Sequence, residues 1–468
     1  MGNEERERIK HLHGRAGFGL RPAQLNSLEQ VPYAECVDRL FQRPDTAPLT
    51  TEVPTATLKQ YRAMAEKDQR AFRRAQRHGM ARLNDAWCQR LAGANDVFHE
   101  KMTLFWHGHF ACRSKWGQSA QLLNNALREH ALGRFGDLLT AVSKSAAMLE
   151  FLDNQQNRKG APNENFAREV MELFTLGRGH YTEQDIKEAA RAFTGWSFEL
   201  VTGEFKLNAD QHDDGAKTFR GRTGHWGGED ILGFLLEDER TATFICGRIY
   251  RWFISPSPDE VFIGHMAQRF RSTGMDIGDL MRFVFMSEHF LQVQHRGARV
   301  KNPVELLAGL EHLFGLAYSS VDHRITLQRA LGQVLFHPPS VAGWAEGLAW
   351  IDSNSMLLRL RLPSILVNNG ELDWEPDGSD PEGLDQMMME AQGDQPGRDA
   401  KGRLLQVTNN RDALLAELPR GISNEELCGM LLSVPPSPTL LRTMSAPANA
   451  ELLQRVLQVV SSPEYQLC

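Results

Sequence analysis

The stretch ARLNDAWCQRLAGANDVFHEKMTLFWHGHF, residues 81–110, places Trp87, Leu91, Val97, Met102, Phe105 and Trp106 at spacings near three and four. Each helical residue turns the chain by about 100°, so these side chains stack on one face. The same period runs through residues 122–139, 161–176, 182–193, 242–254, 275–290 and 303–314. Alternation with period two is confined to WSFELVTGEFKL at 196–207, which predicts a hairpin turning at Thr202-Gly203. The expected fold is mainly α: a large multi-helix domain with a small β-hairpin element and a long Gly-rich loop at 208–230.

Working outward, residues 1–369 read as the main helical domain. Residues 370–403, rich in Gly, Pro and polar side chains, read as a polar linker or mobile insertion. Residues 404–468 regain helical patterning as a C-terminal segment. In 468 residues, 52 Lys+Arg stand against 59 Asp+Glu, a net charge of −7, which disfavours bulk nucleic-acid binding. No apolar run reaches the length of a membrane span. The first twenty residues hold no apolar core of a secretory signal, so the sequence as given reads as cytoplasmic, or as exported if a leader was removed. Six cysteines, with no CxxC pair, read as structural thiols.

Chemistry concentrates in two blocks. In 160–196, Asn163 is a candidate N-cap, and Thr182 with Asp185 a variant capping box. Glu169 and Glu172 fall on an arc beside the apolar face formed by Phe166, Val170, Leu173 and Phe174. Carboxylates there are expensive unless paired or bound to a metal. Pairing with Arg158 or Arg128 is the structural alternative. The second block, FWHGHF, holds His107 and His109. A helix continuing through Gly108 sends the two rings about 200° apart, whereas one ending there lets His109 fold back to share a ligand. Core hydrogen bonding is the structural alternative for this pair. Together, His107, His109, Glu169 and Glu172 form the candidate ligand set for Zn, Mn or Fe, with His180 and His212 in reserve. Lys217, Arg220 and Arg222 among glycines are candidate substrate contacts, but the loop lacks a P-loop pattern. No nucleotide or flavin site is indicated. Trp196, Trp344 and Trp350 read as core aromatics.

The blocks HLHGRAGFG (11–19), MTLFWHGHF (102–110), LDNQQNRKGAPNENFAREVMELFTLGRGHYTEQDIKEAARAFTGW (152–196), HDDGAKTFRGRTG (212–224), RVKNPVEL (299–306), PPSVAGW (338–344) and SSPEYQL (461–467) resemble, in order, the DUF1800 family. The resemblance implies a helical bacterial protein whose family has no settled activity. Its genes commonly lie beside those of a second family, DUF1501, which resembles phosphatases and sulfatases and often carries a twin-arginine export signal. Many members carry export signals, and this sequence shows none. The expectation is a metal-dependent enzyme with a His/Glu site in a helical core, hydrolysis placed ahead of oxygen activation on the family neighbourhood alone. The alternative is a non-catalytic helical accessory or escort for a DUF1501-type partner.

Overall fold

The computed structural model describes residues 3–42, 47–93, 96–199, 201–372, 403–444 and 451–468. The chain is 62% helical, with only short antiparallel strand pairs among the described residues. Mainly α is therefore the observed class. Most of the predicted linker, residues 373–402, lies outside the described residues.

The decisive stretch forms two helices, Glu66–Gly93 and Val97–His109. The second is buried on every side: of its thirteen residues only Val97 and Gly108 are not. A helix without a solvated face must sit at the centre of its domain. That position forces two charged residues inside, and both are paired. Glu100 accepts from Arg128 Nε at 2.7 Å and Trp87 Nε1 at 2.8 Å, with Arg90 Nε 2.9 Å away. Lys101 Nζ donates to the Gly17 carbonyl at 2.7 Å and lies 2.5 Å from Glu305.

The largest core wraps this helix with apolar faces from 135–152, 166–176, 186–196 and 242–291. A second core joins the Pro303–Phe314 and Ser353–Asn368 helices to residues 405–465. The C-terminal segment thus shares a core with the helices preceding 370. It also adds a strand, Val407–Thr408, beside Ala317–Tyr318.

The predicted hairpin is present as Trp196–Phe198 against Phe205–Leu207. The stretch read as loop, 208–230, holds a second hairpin, Lys217–Phe219 against Arg222–Gly224. Its two turn residues, Arg220 and Gly221, both take positive φ, the geometry that matches strand twist in tight hairpins. No helix among the described residues is long and apolar enough to cross a membrane.

Candidate functional site

The 97–109 helix continues through Gly108, so the rings of His107 and His109 meet different neighbours. His107 lies among Trp87, Phe336 and Trp344, and its Nε2 accepts the Phe336 backbone N–H at 3.1 Å. His109 lies against Phe110, Phe174 and Phe244. Its Nε2 donates to the Phe174 carbonyl at 3.3 Å, leaving a buried Nδ1 without a partner. Burial, then the neighbouring His337, pushes His107 down to about 3. Burial, then the Arg248 charge, does the same to His109. Both rings are therefore neutral, and the bare Nδ1 of His109 is an acceptor.

In the 160–196 block, Glu172 has partners of its own. The helix begins as Asn165–Glu169, with Asn163 Oδ1 accepting the Asn165 N–H at 3.0 Å, and then widens into a π-helix over Val170–Thr175. In an i→i+5 turn residues three apart no longer stack as in an α-helix, and Glu172 lies in that widened turn. It accepts from Arg178 Nε at 2.6 Å and from the Tyr181 hydroxyl. Glu169 is half-buried; burial, then the Glu172 charge, raises its carboxyl above the ordinary range. The pairing with Arg158 or Arg128 considered from sequence is replaced by Arg178 at Glu172, while Arg128 serves Glu100.

The remaining sequence candidates have local partners. His180 is exposed, and the ring of His212 donates through Nδ1 to the Thr194 carbonyl at 2.8 Å. Lys217 Nζ is tied to the carbonyls of Asp213 and Gly215. Arg220 pairs with Asp238, and Arg222 with Glu237 at 2.7 Å. Among the described residues, no group of three or more His, Cys, Asp or Glu side chains is arranged to hold a metal ion.

What the structure does bring together is a cleft of about 460 Å³ at the C-terminal end of the central helix. That helix contributes Phe105, His107, Gly108 and His109. The helix Glu239–Phe253 contributes Arg248, Arg251 and Trp252, whose spacings of three and four put them on one face. Arg299 and Asn302 come from the approach to the Pro303–Phe314 helix, and Gln333, Trp344, Glu346 and Trp350 from the 333–350 segment. That segment is drawn against the helix at Gly343, which has φ +85°; a Cβ there would stand 2.8 Å from the Gly108 carbonyl oxygen. Any side chain at 343 would push this wall off the helix end.

Arg299 is the most telling residue of the cleft. It is buried, its guanidinium carbon lies 4.8 Å from the centre of the Trp252 ring, and Nη2 donates to Glu305 at 2.7 Å. Its Nη1 is buried and has no partner. A guanidinium donor withdrawn from water is costly to leave unmade. Arg248 pairs with Glu346 at 3.0 Å. Sequence reading passed over Arg248, Arg251, Trp252 and Arg299; of the tryptophans read as core aromatics, Trp350 is buried and Trp344 half-buried, and both also line the cleft. The available signals were the ICGRIYRWF face and the RVKNPVEL block.

A family model described as Protein of unknown function (DUF1800) matches residues 11–467. No curated protein and no solved structure matches the chain.

Proposed function

The chain belongs to the DUF1800 family, and on that premise we propose that its cleft binds a small organic anion carrying a flat apolar group. The observation that carries this is the unpartnered Nη1 of buried Arg299, at the wall of a cleft flanked by tryptophans. About 460 Å³ falls within the roughly 300–1,000 Å³ of small-molecule sites, which combine apolar walls with a few convergent polar groups. Arg251, half-buried, adds a second guanidinium, and His109 Nδ1 adds an acceptor for a ligand hydroxyl or amide. An anion bound beside His109 raises the affinity of that ring for a proton, which makes it the cleft's candidate acid–base group.

A metal centre built from His107, His109, Glu169 and Glu172 draws less support. His107 Nε2 already accepts a backbone N–H, and Glu172 is committed to Arg178 and Tyr181. The reading as an escort for a DUF1501-type partner rests on the family's gene neighbourhood alone.

The test is a titration of benzoate and of phenyl phosphate into the full chain, followed by tryptophan emission. At least one of them should give a saturable change. Arg251→Gln should weaken it by roughly tenfold or more, the worth of one charge-assisted hydrogen bond. Emission that does not saturate with either ligand, or an unchanged affinity in the variant, would contradict the proposal.

A further inference from the structure

The charged groups lining the cleft are three guanidiniums, of Arg248, Arg251 and Arg299, and one carboxylate, of Glu346. Glu346 is taken by Arg248. Behind the wall, Glu305 holds the Nη2 of Arg299, but Lys101 stands 2.5 Å from the same carboxyl group and offsets it. Lys101 Nζ is also only 5.2 Å from the centre of the Trp252 ring, so its charge stands close behind the cleft. Of the three guanidiniums, only that of Arg251 has no carboxylate among the groups lining the cleft or behind its wall, and Arg299 shares Glu305 with Lys101.

The neutral polar groups point the same way. Asn302 spends its side-chain carbonyl on the Glu305 N–H at 2.9 Å, and Gln333 spends its own on the Val304 N–H at 3.0 Å. Each amide keeps both N–H donors of its NH2 group beyond that contact, and both residues are buried at the cleft wall. With Arg251 and with Arg299, whose Nη1 has no partner, these residues bring several donors to the lining of one cleft. A carboxylate offers two oxygens and one charge to such a set, whereas a phosphate monoester offers three terminal oxygens and nearly two charges.

Resting on the organic-anion reading above, we propose that the ligand is a dianion: a phosphate monoester whose apolar group lies against Trp252 and Trp344.

Phenyl phosphate and phenyl sulfate have nearly the same shape and differ in charge, which isolates the proposed feature. The ester phosphate loses its second proton near pH 6, and the sulfate stays a monoanion throughout. In the ligand-free chain His107 and His109, held at about 3 by burial, are neutral across this interval. Glu305, which burial raises but Arg299 and Lys101 bring down to about 2, remains charged. The experiment is calorimetric titration of the full chain with both ligands and benzoate, at about pH 7.5 and about pH 5. Phenyl phosphate should bind at least about tenfold more tightly than phenyl sulfate at the higher pH, with the gap closing at the lower. Arg251→Gln should narrow the gap at the higher pH. Equal or tighter binding of the sulfate at the higher pH overturns the dianion proposal. Binding of benzoate alone does the same, while leaving the organic-anion reading in place. Binding of none of the three overturns both.

Discussion

His107 and His109 stand one glycine apart on the same helix, and that glycine is the most useful position in the molecule for an experiment. A Cβ built at Gly108 meets no atom within 4 Å, and the residue lines the cleft. Gly108→Leu therefore starts from a Cβ that meets nothing and should extend into ligand space. It should also raise stability by about 0.5–1 kcal/mol, because glycine is a poor helix former. The expected outcome is an equal or higher thermal midpoint together with loss of ligand-induced tryptophan quenching. A variant that keeps its fold and binds as before would place the ligand elsewhere. Arg251→Gln probes the same cleft from another helix by removing charge rather than space.

The helix Val97–His109 carries the cleft at its C-terminal end and is fastened near its N-terminal end by Glu100. This carboxylate is fully buried among Arg128, Arg90 and Trp87. Burial raises its proton affinity, and the Arg128 hydrogen bond and charge reverse that, leaving the carboxyl below its ordinary range. Removing one member of a buried ion pair costs about 3–5 kcal/mol because its partner is left charged and alone. Glu100→Gln should lower unfolding free energy by that order in a denaturant titration, and a loss well under 1 kcal/mol would show the network to be dispensable. Elements of this kind were legible in sequence. The apolar period gave the central helix, Thr182 and Asp185 form their capping box, and the hairpin turns at Gly203 as its sequence predicts. The π-helix over Val170–Thr175 was not legible, since the spacing argument for Glu169 and Glu172 assumes 3.6 residues per turn throughout. Nor was the second hairpin, because residues 208–230 carry too little apolar alternation to outweigh their glycines. The cleft itself was half legible. His107 and His109 belong to it, but Arg251 and Arg299 come to it through tertiary packing of separate segments, and local periodicity carries no information about that.

At the scale of the whole molecule, buried neutral histidines set the response to acid. Burial is the leading cause in each case: His107 and His109 are pushed to about 3, and His13, His295 and His337 to about 4, from an ordinary value of 6.5. With the folded value below the unfolded one, their contribution is complete above pH 6.5 and is lost as pH falls towards 4 and then 3. Glu305, held at about 2 against its ordinary 4.5, extends the loss further into acid. Glu311, raised by burial to about 7, gives the opposite slope between 7 and its ordinary 4.5, but one group against five does not reverse the trend. The thermal midpoint should fall steadily from pH 6.5 to pH 4, and a flat profile would show these rings to be solvated.

The same interior explains why a chain with a net charge of −7 is assigned an anion. Its acidic excess does not extend to the cleft, where guanidiniums outnumber carboxylates three to one. The most direct measurement is a crystal structure of the full chain grown with saturating phenyl phosphate. The phosphate should lie between Arg251 and Arg299, within hydrogen-bonding distance of Arg299 Nη1, with the phenyl ring against Trp252. Phosphate bound instead at the Lys217, Arg220 and Arg222 loop, with the cleft holding only solvent, would contradict the account.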